Sequence, residues 1–335
     1  MRFLDLFSGI GGIRLGLERS GHVPVGWVEF DKFARQAYMA MHDTEKEWNA
    51  EDINNVTDEQ WEQFSGKVDL IAGGFPCQSF SIAGKREGFL NKTKGTLFFE
   101  VARAVSKIKP RFVFLENVKG LLNHDSGDTF RTILNTFDEL GYDVQWCVLN
   151  SKDFGVPQNR ERVYIVGHIR GDGGREVFSF TGKDRSFNKA TLKQIGNISS
   201  SNSFGGNPQT GRVYSDDGIS PTLNTMQGGG CEPKVAIPVL TPDRINRRQQ
   251  GRRFKNNGDP SFTLTAQDRH GVMDSDYRIR KLTPRECWRL QAFPDELFDK
   301  AQQSGLSNSQ LYKQAGNSVT VNVIEFIGKI LKEVE

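Results

Sequence analysis

The first 170 residues alternate between two hydrophobic periods. Short continuous apolar runs read as buried strands. They are Arg2-Phe-Leu-Asp-Leu-Phe7, Pro24-Val-Gly-Trp-Val-Glu-Phe30, Val68-Asp-Leu-Ile-Ala72, Arg111-Phe-Val-Phe-Leu-Glu-Asn-Val118, Asp143 to Leu149, and Val163-Tyr-Ile-Val-Gly167. Between them apolar residues recur at helical spacing. Ile13, Gly16 and Leu17 form one such stripe, closed by Gly21. Asp31 caps a second that carries Phe33, Ala37 and Met41. A third starts at Thr96, with Leu97, Val101, Val105 and Ile108 on one face, and stops at Pro110. A fourth holds Phe130, Ile133, Leu134, Phe137 and Leu140 and ends at Gly141. Six strands alternating with helices predict an α/β fold built on a doubly wound parallel sheet.

Past about residue 170 the pattern changes. Residues up to about 277 are rich in Gly, Asn, Ser, Asp and Arg, with few apolar runs. A faint internal echo runs through them: Gly211-Arg212, Asp217-Gly218 and Ser220-Pro-Thr-Leu223 recur as Gly251-Arg252, Gly258-Asp259 and Ser261-Phe-Thr-Leu264. This reads as a smaller, irregular β-rich domain. Helical order then returns, with Thr283 as cap, Pro284 at the first helical position, and a last amphipathic helix through Val323, Ile324, Ile327 and Ile330. The expected division is 1–177, 178–277, 278–316 and 317–335.

Composition narrows the class. The chain has 335 residues, 36% hydrophobic and 25% charged, as in an ordinary soluble protein. No apolar run approaches the ~20 residues of a membrane helix, and the first residues run directly into a strand without a signal peptide. Cys77, Cys147, Cys231 and Cys287 are scattered, with no CxxC pair, and the five histidines form no HExxH. Neither a disulfide framework nor a metal site is expected, and a reducing cytoplasm is. Net charge is only +3, but residues 244–289 hold twelve Lys/Arg against five Asp/Glu. That basic segment fits either a polyanion partner or a solvated charged face.

The candidate chemistry collects at strand ends. After the strand at 68–72, glycines release the backbone, and Pro76 holds its predecessor extended. Cys77 is thereby presented at the C-terminal edge of the sheet, where open α/β sheets place ligands. It is a candidate nucleophile, or else a small buried hydrophobe. Ser8-Gly-Ile-Gly-Gly12 makes a glycine turn into a helix, suited to a nucleotide-like ligand. Arg14 occupies the place where a dinucleotide fingerprint needs glycine, which weakens a nicotinamide reading. Glu29 closes the second strand about 20 residues on, suited to ribose hydroxyls or simply a strand-end carboxylate. A carboxylate in Glu51-Asp-Ile53 would accept from an adenine amino group or cap a helix. The loop from Ile82 to Gly95 carries four Lys/Arg and is either a basic lid or a surface loop. Glu116 ends a buried strand, and a carboxylate there is functional or paired, because burying it alone is costly.

Eight stretches appear together in one order: Asp5-Leu-Phe-Ser-Gly-Ile-Gly-Gly12, Glu29-Phe30, Asp52-Ile53, Gly74-Phe-Pro-Cys-Gln-Ser-Phe-Ser81, Gly95-Thr-Leu-Phe-Phe99, Glu116-Asn-Val118, Gln158-Asn-Arg-Glu-Arg162 and Gly316-Asn-Ser-Val319. The set resembles the DNA cytosine-C5 methyltransferases of bacterial and phage restriction–modification systems, over nearly the whole chain except the middle of the variable segment.

The resemblance implies a Rossmann-like S-adenosylmethionine-dependent methyltransferase sheet in 1–177 and a β-rich target-recognition domain in 178–277. It also implies a return segment over 278–316 and a C-terminal helix packing back on the catalytic domain. Cys77 falls on the nucleophile, Glu116 on the residue that meets cytosine N3 and its amine, and Arg160 and Arg162 on arginines near cytosine O2 and the nucleophile loop. Phe7, Ile10, Gly12, Glu29, Phe30, Asp52, Ile53, Pro76, Leu97, Asn317 and Val319 fall where the family holds S-adenosyl-L-methionine, whose product is S-adenosyl-L-homocysteine. Gln78, Ser81, Lys85, Arg86, Thr222, Leu223, Arg252, Thr263 and Leu264 are the expected DNA contacts. The Thr-Leu pairs at 222–223 and 263–264 both resemble a short signature of the recognition domain. The implied partner is double-stranded DNA, with a cognate restriction endonuclease acting on the same site. A cytoplasmic monomer suffices for one active site and one recognition domain. RNA cytosine methylation, and a catalytically silent DNA-binding regulator, are the alternatives.

Overall fold

The computed structural model describes residues 1–76, 97–171, 177–178, 194–197, 212–214, 237–240, 254–255, 259–265, 270–273 and 279–335. Its body is a seven-stranded sheet made of β1 (Arg2–Leu6), β2 (Val23–Val28), β3 (Trp48–Ala50), β4 (Leu70–Gly73), β5 (Phe112–Val118), β6 (Tyr142–Asn150) and β7 (Glu161–Ile169). The strand order is β3-β2-β1-β4-β5-β7-β6.

The sheet is mixed rather than wholly parallel. β1 to β5 pair in parallel, but β7 runs antiparallel to both β5 and β6. The cause lies in the connection. Only the single turn Ser151–Phe154 and a few further residues separate β6 from β7. A parallel crossover needs a dozen residues or more, usually with a helix. This reversal brings the start of β7 to the same edge as the ends of β4 and β5.

Alternation along the strands sends side chains to two cores. Leu4, Ile71, Val113, Leu115 and Ile165 face one way, onto α4 (Leu97–Ile108) and α5 (Asp128–Glu139). Phe3, Leu70, Phe112, Phe114 and Val166 face the other, onto α1 (Gly12–Arg19) and α9 (Val321–Glu333). Burying each such side chain contributes roughly 1.5–3 kcal/mol, so both faces are firmly specified. α9, the last element, therefore completes the first domain's core.

The cap residues expected from sequence form. Asp31 accepts from the amides of Phe33 and Ala34 at the start of α2 (Lys32–Met41). Thr283 and Glu286 make a reciprocal capping box at α6 (Pro284–Arg289). Between β3 and β4 lie the single turn Ile53–Asn55 and the short helix α3 (Asp58–Glu62). A third cluster joins α2 to α6, α7 (Asp295–Gln303) and α8 (Asn308–Asn317) through Ala37, Met41, Trp288, Phe298 and Leu311. Within 178–277 the described strands form a pair, β8 (Gln194–Asn197) with β9 (Arg212–Tyr214), and an antiparallel set, β10 (Ile237–Leu240) and β11 (His270–Met273) with β12 (Ile279–Lys281).

Candidate active site

Two groups of residues meet at the C-terminal edge of β1, β2, β4 and β5. The first is a cradle. Phe7, Gly9 and Gly11 all take positive φ, 55°, 56° and 80°, folding the chain tightly between β1 and α1. Glu29 locks this turn: its Oε2 accepts from Gly9 N and its Oε1 from Asp31 N, each at 2.7 Å. Burial pushes its carboxyl above the ordinary range, and those amide bonds pull the other way. The Phe30 amide adds a third such bond, and a carboxylate with about four acceptor sites still has room for a ligand hydroxyl. Next to it Phe30 leaves its ring 71% exposed, a flat face open to stacking.

Asp52 caps the Ile53–Asn55 turn through Oδ1, which accepts from Asn54 N at 2.9 Å. The cap reading of this carboxylate holds, and the cap employs Oδ1 alone. Ile53 and Ile10 are buried, Leu97 is half-buried and Pro76 is exposed. Gly12 packs where no side chain fits: a Cβ there would stand 2.7 Å from Ser318 Oγ and 2.8 Å from Val319 Cγ2. The return turn at 316–319 is thus seated directly on the glycine turn, with Val319 buried and Asn317 exposed beside it. A glycine cradle, an acid at the second strand end, an exposed aromatic and an acid at the third fit an adenosine-bearing cofactor.

The second group is charged. Glu116, fifth residue of β5, lies opposite Tyr164 of β7 in the antiparallel register. Its diagonal neighbour is Arg162, and Arg162 Nε stands 3.1 Å from Glu116 Oε1. Burial pushes the Glu116 carboxyl up, opposed by the positive charges of Arg162 and Arg160. Gly74 approaches from β4, where a Cβ would lie 3.2 Å from Glu116 Oε2. Asn117 Nδ2 donates to Phe75 O at 2.8 Å, tying the segment that leads to Cys77 onto β5.

Arg160 is employed differently. It is buried, and its guanidinium donates to the carbonyl oxygens of Leu264 at 2.8 Å, Gly316 at 3.2 Å and Ser318 at 2.6 Å. It clamps together the β7 entry, the backbone at Leu264 and the C-terminal end of α8 with its cap Ser318. Gln158 works beside it, accepting from Leu264 N at 3.0 Å and donating to Leu290 O at 2.8 Å. Thr263 donates to Asn159 O at 2.6 Å, and Leu264 is buried beside this clamp.

Cys77, Gln78, Ser81, Lys85, Arg86, Thr222, Leu223 and Arg252 lie outside the described residues. Asn117, Gly74 and Gln158 were not singled out as site residues, although all three sit inside the quoted stretches. Position two residues before Arg160, and one after Glu116, was the available signal. Among the described residues no His/Cys/Asp/Glu group is able to hold a metal ion, and no helix is long and apolar enough to cross a membrane.

Residues 1–333 match the family model described as C-5 cytosine-specific DNA methylase. The orphan methyltransferase M.SPRI of Bacillus phage SPR is 37% identical, covering 99% of this chain and 97% of its own length. The type II methyltransferase M.HpaII of Haemophilus parainfluenzae is 36% identical over 99% of this chain and 89% of its own. The crystal structure of the S. pombe Dnmt2 methyltransferase superposes with a TM-score of 0.58 at 17% identity, covering 100% of this chain and 99% of that one, a likeness of fold.

Proposed function

The chain belongs to the C-5 cytosine-specific DNA methylase family and is a DNA cytosine-5 methyltransferase, and from that premise we propose that it methylates one cytosine within a particular sequence of double-stranded DNA through Cys77. The observation that carries the reading is the Glu116–Arg162 pair, with Glu116 buried and Arg162 half-buried, at the sheet edge where the Gly74-Phe75-Pro76 segment leads into Cys77.

S-adenosyl-L-methionine, held by Phe7, Ile10, Gly12, Glu29, Phe30, Asp52, Ile53, Pro76, Leu97, Asn317 and Val319, supplies an electrophilic methyl sulfonium when bound. The chain's own residues make the ring able to use it. Cytosine C5 is a poor nucleophile until the Cys77 thiolate adds to C6. A free thiol has a pKa of ~8.5, so nearby positive charge favours the thiolate, and Arg162 brings such charge to this edge. Burial raises the Glu116 carboxyl, which favours a proton shared with cytosine N3, and a carboxyl sharing that proton would stabilise charge developing on the ring. Loss of the C5 proton and of the thiolate then releases 5-methylcytosine. Arg160 holds the framework around these groups through three carbonyls.

The reacting atoms are hidden inside a duplex, so the base is flipped out, at a cost of a few kcal/mol. Gln78, Ser81, Lys85 and Arg86 after the nucleophile, and Thr222, Leu223, Arg252, Thr263 and Leu264 in the variable segment, are assigned to DNA contact, where phosphate binding offsets that cost. Leu264 would act through its neighbours, because its own side chain is buried. The product mark would protect DNA from a cognate restriction endonuclease. We assign the enzyme to the cytoplasm, as a monomer.

The test is methyl-labelled S-adenosyl-L-methionine with a mixed-sequence duplex, beside Cys77→Ser. Site-restricted 5-methylcytosine that vanishes in the variant supports the proposal. Label in RNA instead of DNA would replace the substrate. Cofactor binding without transfer to either would leave a silent DNA-binding protein.

A further inference from the structure

Helix α4 touches both groups of the site. At its first turn Phe98 packs on Phe75, ring centroids 5.5 Å apart, two residues before Cys77. Further along, Arg103 reaches the segment that follows β3. Its Nη2 donates to Val56 O at 2.8 Å and Ile53 O at 3.3 Å. Its Nη1 donates to Asp58 Oδ1 and its Nε to Glu100 Oε2, both at 2.8 Å. The two carbonyls close the turn that Asp52 opens. Among the described residues, the remaining hydrogen bonds of 52–56 are internal to that segment. A planar fork with five donors spans two carbonyls and two carboxylates at once, which a lysine's single nitrogen does not.

We infer that Arg103 is a positioning residue of the cofactor site: it sets Asp52 and Ile53 against the adenosine of the methyl donor, from the helix that begins where the Cys77 segment ends. The inference rests on the reading of Asp52 and Ile53 as cofactor residues. It makes α4 a rigid link between donor binding and the segment that attacks the base.

The experiment titrates S-adenosyl-L-homocysteine into the full chain and into Arg103→Ala and Arg103→Lys, with thermal melts and steady-state methyl transfer on each. The expected result is binding about tenfold weaker in Arg103→Ala, a donor KM raised in proportion, and kcat at saturating donor and Kd for duplex within twofold of wild type. Arg103→Lys recovers only part of the affinity, and it carries the test if the alanine variant does not fold. In an Asp52→Ala background the Arg103→Lys substitution adds nothing further, which a merely structural role would not produce. Undiminished binding by both Arg103 variants overturns this inference alone. Failure of the wild type to bind overturns the cofactor reading, and this inference with it.

Discussion

Asp5 and Glu116 are both buried carboxyls in the same sheet, each under the field of an arginine, and they have opposite uses. Asp5 is fourth of five residues in β1, paired on both sides, with Trp27 of β2 and Ala72 of β4 opposite it. It is fully buried, and burial pushes its carboxyl up to about 8, partly offset by Arg14 and by the Tyr38 hydroxyl. That hydroxyl donates to Oδ2 at 3.4 Å, while Oδ1 has no partner among the described residues. Arg14 is committed elsewhere, bidentate to Glu47 at 2.7 and 2.8 Å and bonded to Glu18 at 3.1 Å. Glu116 instead lies one residue past the last β4 pairing, Gly73 with Leu115, so it is paired on the β7 side alone, with Arg162 directly against it. A raised carboxyl marks a functional group only where chain ends leave an approach to it. The side of the strand left open by the end of β4, more than the size of the shift, separates the two.

The largest expected effect tests the reachable one. Glu116→Gln keeps the shape and removes the exchangeable proton, so kcat for methyl transfer falls by about 10²–10⁴-fold. The thermal midpoint stays close to wild type. Asp5→Asn assayed alongside stays within tenfold in kcat, and equal losses in the two would erase the distinction.

Arg162→Ala comes next. Removing one partner of a buried pair costs about 3–5 kcal/mol. Without Arg162 the folded-state carboxyl rises further, so the variant retains stability at low pH and loses it as pH rises. Denaturant unfolding at pH 5 and pH 8 measures this, and a deficit that shrinks at pH 8 would contradict it.

The smallest effect on catalysis belongs to Asp5→Asn, whose signature is the pH dependence of stability. The folded Asp5 pKa of about 8 exceeds the ordinary value near 3.8. Its contribution is therefore fully present below pH ~4 and is lost as pH rises to about 8, with a slope of at most about 1.4 kcal/mol per pH unit. The asparagine variant lacks that slope, so its stability curve over pH 5–8 is flatter than wild type. Matching curves would show that Asp5 is ionised throughout.

Much of this contrast was legible beforehand. The short continuous apolar runs located six of the seven strands, and Glu116 followed from an acid closing a buried run. The three-residue β3 was not found, because Trp48-Asn49-Ala50 is too short to show a period. The direction of β7 was missed, although the short link after Leu149 excluded a helical crossover. That error matters physically: the antiparallel register makes Arg162 the diagonal neighbour of Glu116. Arg160 shows a different limit. The resemblance placed it with Arg162 near the base, yet its carbonyl partners come from Leu264, Gly316 and Ser318, more than 100 residues away in sequence. No local pattern encodes such partners.

The pinned ends of the variable segment carry one more consequence. At its departure Arg170 pairs with Asp138 and Asp143, and its amide bonds Gly141 O. At its return Ser261 exchanges backbone bonds with Pro157 and Asn159, just ahead of the Arg160 clamp. Both posts are built from residues of the sheet and its connections, so a change of sequence between Gly171 and Ser261 leaves the contacts that hold its two ends in place.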